Sequence, residues 1–325
     1  MSAPHSNAAV GIGFVLLAMG AISINDLLIK QLSGGYPLHQ MVFIRSLIGI
    51  MFSLILVQIE GGWSILRSRT PGLHLMRGFF VIVSNMTYFA ALAALPLADA
   101  TALFFVAPLM ITLLSIPLLG EKVGPMRLGA VVVGFCGMVI MLRPWDSAAA
   151  REASLIILFL PVVSALFYAL NQIMTRKLGA TTKASAMAVY IQAMFIVVGG
   201  LFWLVAGDGR YAEGIDNPSI IFLLRAWAWP VGNDIWMFAG LGLNSALVGY
   251  TLAQAYRMAD AATVAPFEYI GLPLAVLWGW LFFDHLPGPT IAIGIAMIMG
   301  SGLFVFFREQ YKNRGFVSKK RIRRR

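Results

Sequence analysis

Ten apolar runs recur along the chain, each about as long as a helix must be to cross a hydrocarbon layer of roughly 30 Å. They lie near Ala9 to Ile29, Leu38 to Val57, Gly78 to Leu95, Thr101 to Leu119, Leu128 to Leu142, Leu155 to Met174, Ala186 to Ala206, Ile235 to Ala255, Ala261 to Phe283 and Thr290 to Phe307. The runs are continuously apolar, without the two-residue alternation of a barrel strand. Helices are then the only spanning structure that satisfies every backbone group. Composition agrees: 59% of the 325 residues are hydrophobic and 12% charged, against about 25% charged in a soluble domain. Mean hydropathy is +0.82. The expected fold class is an all-α membrane protein with ten transmembrane helices.

The chain also repeats itself. ADATALFFVAPLMITLLSIPLLGEKVG, from Ala98, returns as ADAATVAPFEYIGLPLAVLWGWLFFDHLPG, from Ala259, and INDLLIKQL (Ile24 to Leu32) returns as LNQIMTRKL (Leu170 to Leu178). Asn25 thereby falls on Asn171 and Lys30 on Arg176. Only the first of the two charged turns, Glu121 and Lys122 against Asp284 and His285, carries a basic residue other than histidine, so the copies are expected to face opposite sides of the membrane. Inverted repeats of this kind mark alternating-access carriers. The division expected is a first five-helix repeat over 1–150, a second over 151–310 and a basic tail over 311–325.

Orientation follows from the basic residues. With the N-terminus inside, the inner turns hold Arg67, Arg69, Lys122, Arg127, Arg176, Lys177, Lys183 and Arg257, and the tail from Arg308 to Arg325 adds more. The other side holds only Lys30, Arg143, Arg151, Arg210 and Arg225. This bias places both termini in the cytoplasm of a multi-pass plasma-membrane protein, the inner membrane in a bacterium. The first ten residues lack Lys and Arg and no cleavage site follows the first run, so that run reads as a retained helix. The tail KKRIRRR, from Lys319, dominates the net charge of +10 and suits acidic membrane lipid as a topology anchor, not nucleic acid. IIFLLRAWAWP, between Asp208 and Asp234, is too short to span and suits an interfacial aromatic belt or a lid. The single cysteine, Cys136, excludes an internal disulfide.

Polar residues within the runs indicate function. Arg45 and Glu268 each lie about 11 Å into their spans, near the midplane, where a charge persists only beside a partner or a polar cavity. They form either a buried ion pair or a substrate or proton site. Asp26 has Lys30 one turn later, the spacing of an i, i+4 pair, and is otherwise a cavity candidate. Asn25 and Asn171 are candidates because they recur. Tyr88, Tyr250 and Tyr269, with Tyr190, either line a cavity for an organic substrate or pack between helices. Pro108, Pro266 and Pro273 free backbone carbonyls within spans or merely kink them. Ala292, Ala296 and Gly300, with Gly129, Gly134 and Gly137, allow close helix contact within the bundle or across a homodimer.

Leu103 to Pro144, LFFVAPLMITLLSIPLLGEKVGPMRLGAVVVGFCGMVIMLRP, resembles the EamA repeat of the drug/metabolite transporter superfamily, with its proline, its glycine-glutamate turn and its glycine-rich closing helix. Pro266 to Pro287 resembles the second repeat, with Asp284 where the family's glutamate usually stands, and Arg45 matches an arginine common in the second helix. The resemblance covers nearly the whole chain. It implies two inverted five-helix repeats around a central cavity, and secondary transport of a small organic metabolite. Relatives include exporters of amino acids and amines and carriers of S-adenosylmethionine or riboflavin. A channel would need a polar stripe that no span displays. An intramembrane enzyme would need an embedded site, yet His5, His39, His74 and His285 lie in termini or near span ends, and no metal or cofactor is implied. The expected substrate-binding set is Asn25, Asp26, Arg45, Tyr88, Asn171, Tyr250, Glu268 and Tyr269, with proton coupling through Glu268.

Overall fold

The computed structural model describes residues 8–121, 123–143 and 155–304, so Lys122, Arg151 and the basic tail lie outside the described residues. Described regular structure is helical throughout. Among the described residues, nine helices are long and apolar enough to cross a membrane, and a sixteen-residue apolar helix, Pro289–Phe304, follows them. The spans are α1 (Ala8–Leu32), α2 (Leu38–Glu60), α3 (Pro71–Ala94), the pair α4 (Leu97–Phe104) and α5 (Ala107–Leu119), α6 (Pro125–Leu142), α7 (Leu155–Leu178) and α8 (Ala184–Ala206). After the short α9 (Pro218–Leu224) come α10 (Asp234–Met258), α11 (Ala261–Val264), α12 (Gly271–Phe283) and α13 (Pro289–Phe304).

Two spans are broken. The fourth is interrupted between Phe104 and Ala107, just before Pro108. The ninth runs from α11 through a 3-10 stretch, Ala265–Ile270, that contains Pro266 and Glu268, into α12. Proline lacks the amide hydrogen that the helix ladder needs, and each break falls at a proline. Both broken spans then end on a residue in the left-handed conformation: Gly120 with φ 69°, and Asp284 with φ 50°. Asp284 therefore takes the backbone role of Gly120, not that of Glu121 as the sequence match suggests. Short polar side chains are among the few that tolerate this conformation.

Around the core, α1 packs along α10, α2 along α8 and α3 along α7. Close crossings use glycine. A Cβ on Gly137 of α6 would stand 3.1 Å from the Gly294 carbonyl oxygen of α13, and one on Gly294 would stand 2.9 Å from the Gly137 carbonyl oxygen. Gly134, Gly137 and Gly294 thus serve contact inside the bundle, whereas Gly129, Ala292, Ala296 and Gly300 are exposed on its outside. Outward-facing Leu47, Phe52, Ile55, Leu201 and Trp236 are exposed, as lipid-facing side chains must be.

At the face where α2 begins, the long connection is tied down. Gln40 exchanges two hydrogen bonds with the backbone of Ala228 (2.5 and 3.1 Å), and the Tyr36 hydroxyl donates to Asp234 (2.8 Å). Trp227 packs against Phe43 and Trp203, whereas Trp229 is exposed. One tryptophan thus joins the packed cover and the other stands in the surface belt. At the opposite face Glu60 accepts from Ser185 N and Oγ (3.2 and 2.7 Å), from the Tyr250 hydroxyl and from Gln254 (both 3.1 Å). One carboxylate there joins α2, α8 and α10.

Candidate functional site

A cavity of about 160 Å³ lies at the centre of the bundle, walled by α1, α2, α3, α4, α7, α8 and α10 and by the broken ninth span. Neither α6 nor α13 contributes to its lining. Its polar groups form two carboxylate clusters and two arginine sites.

On α1 the Asp26 carboxylate accepts from the Tyr88 hydroxyl (3.0 Å) and from Asn25 Nδ2 (3.3 Å). Because Tyr88 donates to Asp26, Thr101 Oγ1 (2.9 Å) is the donor to Tyr88. Arg45 on α2 donates to Asn25 Oδ1 (3.2 Å) and to Asn85 Oδ1 (2.6 Å). Its guanidinium lies 5.7 and 5.2 Å from the ring centres of Phe89 and Phe195, a geometry in which the ring faces attract the cation. Arg45 therefore reaches Asp26 through Asn25.

Across the cavity, Glu268 Oε1 accepts from the hydroxyls of Tyr256 (2.5 Å) and Tyr168 (3.1 Å). No ion pair joins Arg45 to Glu268 among the described residues, so the expected pair is corrected: each charge has its own neutral partners. The expected Asp26–Lys30 pair is corrected too. Lys30 Nζ instead donates to the carbonyls of Leu92 (2.5 Å) and Leu95 (2.8 Å), capping the end of α3.

Asn25, Asp26, Arg45, Tyr88, Asn171 and Glu268 all line the cavity. Tyr250 and Tyr269 do not. The Tyr250 hydroxyl belongs to the Glu60 cluster at the bundle's end, and the Tyr269 ring lies against Gly302, where a Cβ would sit 2.0 Å from the ring. Both are therefore corrected from the expected substrate-binding set to packing positions, because a phenol on an apolar helix does not reveal which neighbour it faces.

Several cavity residues escaped the sequence reading. Arg77, 3% exposed, donates to Thr175 Oγ1 (2.7 Å) and the Met187 carbonyl (3.1 Å). Tyr168, Asn85, Gln172, Gln192, Ser245 and the hydrogen-bonded pair Ser84 and Ser164 (3.0 Å) also belong to the polar lining, which Tyr256 supports. The rings of Phe104 and Tyr168, and of Phe104 and Tyr88, lie 5.1 Å apart, so an aromatic wall separates the two carboxylates.

Residues 9–143 match the EamA-like transporter family. The chain is 31% identical to the riboflavin transporter of Rhizobium johnstonii, over 95% of each protein, and 32% identical to the riboflavin transporter of Vibrio cholerae, over 86% of each. The chain belongs to the EamA-like transporter family. An S-adenosylmethionine uptake transporter of Rickettsia felis is 25% identical over 92% of this chain and 93% of its own length. A solved crystal structure at 19% identity shares the fold, with a TM-score of 0.68 over 93% of this chain and 98% of that one. As a member of this family, the chain is a multi-pass membrane transporter of the drug/metabolite superfamily.

The two tyrosines give a direct check. Tyr88→Phe removes a donor from a buried carboxylate and should lower transport about tenfold, the order expected when a buried charged group loses a hydrogen bond. Tyr250→Phe should leave substrate affinity unchanged and lower only the melting temperature. Equal loss of affinity in both variants, read by titration of the purified proteins, would contradict the placement.

Proposed function

We propose that this protein is a secondary carrier for a planar, net-neutral, vitamin-like metabolite of the riboflavin class, working by alternating access across the bacterial inner membrane. The carrying observation is the cavity's charge and surface. Asp26 and Glu268 are matched by Arg45 and Arg77, and the space between them is bounded by the rings of Tyr88, Phe89, Phe104, Tyr168 and Phe195. Balanced charge beside flat aromatic walls suits an uncharged fused ring, and the riboflavin transporters among the relatives agree with that chemistry. A sulfonium such as S-adenosylmethionine would call for an excess of carboxylate.

The architecture we propose is ten membrane helices in two inverted repeats, 1–150 and 151–310, with both termini cytoplasmic and the basic tail against acidic lipid. Exchanging the first five spans with the last five turns the α1–α10 pairing into α7–α3 and leaves α2–α8 unchanged. The two broken spans, each closed by a left-handed residue, also correspond. Interrupted helices at matching positions are where such carriers bind substrate.

Uptake into proteoliposomes tests the reading: riboflavin should accumulate with saturation, and S-adenosylmethionine should neither accumulate nor compete. Accumulation of S-adenosylmethionine alone, or flux that never saturates as in a channel, would sink it.

Proton coupling is supported by a second observation. Glu268 is held by two tyrosine hydroxyls and by no cation among the described residues, so a proton can be exchanged there without breaking an ion pair. Glu268→Gln imitates the protonated side chain. Substrate exchange should persist in this variant while accumulation driven by a pH gradient disappears; undiminished gradient-driven uptake would exclude the role.

A further inference from the structure

Most polar side chains of the cavity have a protein partner. Asp26, Arg45, Arg77, Asn85, Glu268 and the two serines, Ser84 and Ser164, are all engaged as described above. Two neighbours on α7 stand apart. Asn171 is 3% exposed and Gln172 1% exposed, and both line the cavity; Asn171 Oδ1 has no hydrogen-bond partner among the described residues, and Gln172 Nε2 has only the neighbouring Tyr168 hydroxyl within reach, outside good hydrogen-bond geometry. Buried carboxamide atoms are nearly always paired, so adjacent exceptions in the wall of a cavity point to a ligand.

The internal duplication sharpens the contrast. Asn25, the counterpart of Asn171 in the first copy, accepts from Arg45 and donates to Asp26. One asparagine of the pair is consumed by the internal network, and the other keeps its side-chain oxygen without a partner among the described residues. Gln172 lies one turn beyond Tyr168, whose ring stands 5.1 Å from that of Phe104. The two carboxamides therefore border the aromatic wall, where they meet the rim of a ring lying against it.

We infer that Asn171 and Gln172 read one edge of the substrate, and that this edge carries an N–H beside a C=O, as in an imide or lactam of a planar nitrogen heterocycle. A carboxamide supplies both an acceptor and a donor, so two of them in succession can engage such an edge whichever way each amide is turned. The assignment rests on the carrier function proposed above and deepens it: the pyrimidine edge of a flavin has this chemistry, and a substrate without it leaves both carboxamides unpaired.

Titration of the full-length protein in nanodiscs with riboflavin and with N3-methylriboflavin, read by flavin fluorescence, tests the inference on the unmutated chain. Methylation removes the N–H and should weaken binding about tenfold or more, the scale of one buried hydrogen-bonding group left unmatched. Joint replacement by Asn171→Leu and Gln172→Met, which keeps approximate side-chain shape without the polar atoms, should abolish the discrimination and leave both flavins at the weaker affinity. Equal binding of the two flavins by the unmutated protein would overturn the edge assignment while leaving the flavin reading intact. Binding of neither would instead remove the flavin reading. The edge is then judged on uridine against 3-methyluridine and inosine against 1-methylinosine. If no unmethylated member of these pairs binds better than its methylated counterpart, the edge assignment fails. Because the ligand pairs are compared on the native chain, the outcome does not depend on the variant folding.

Discussion

Arg45→Ala should reduce substrate transport at least about a hundredfold, the scale on which truncating one member of a buried, hydrogen-bonded charge network is felt. The guanidinium organises Asn25 and Asn85 at once and sits between the rings of Phe89 and Phe195. Its removal leaves Asp26 without the cation that Asn25 connects to it. Arg45→Lys should recover only part of the loss, because a point charge with a single flexible head cannot span two amide oxygens as a planar fork does. Transport and protein abundance must be read together. An alanine variant that reaches the membrane in normal amount and transports at the native rate would remove Arg45 from the site.

The second large effect is expected at Gly49, where α2 crosses α10. A Cβ there would stand 2.3 Å from Ser245 Oγ, 2.7 Å from Gln192 Nε2 and 3.1 Å from the Gly242 carbonyl oxygen. Ser245 in turn donates to the Arg45 carbonyl (3.2 Å), so this crossing also sets the depth of the arginine. Gly49→Val should destabilise the protein by roughly 2 kcal/mol or more, at the upper part of the range for overpacking because backbone as well as side chains must move. Gly72→Val, at a position where a Cβ meets nothing within 4 Å, is the matched control. Melting in detergent with both variants indistinguishable would refute the role of the crossing.

The helices were legible in the sequence because a spanning segment is defined by a length and a composition, both of which are local. Their ends were less so. In the sequence the third run starts at Gly78, since His74 and Arg77 interrupt its apolar character, yet α3 starts at Pro71. That difference hid Arg77, which reads as an interfacial residue when it precedes a span and becomes a cavity residue when the span includes it. Arg45 and Glu268 announced themselves as charges deep in apolar runs. Their partners did not, because Asn85, Tyr168 and Tyr256 acquire meaning only through contacts across the bundle. For the same reason Lys30 looked like the mate of Asp26: the spacing is right for an exposed helix, but here the end of α3 offers its carbonyls first.

Each broken span places the start of a thirteen-residue helix, Ala107 in α5 and Gly271 in α12, inside the membrane rather than at its surface. The aligned peptide dipoles of such a helix leave about half a positive charge at its first turn. Another helical segment ends directly before each start, at Phe104 and at Ile270, so the negative end of one meets the positive end of the next and the two fields largely cancel. What each break leaves is a stretch of polar backbone at mid-depth, and no side-chain substitution that preserves the two breaks will remove it.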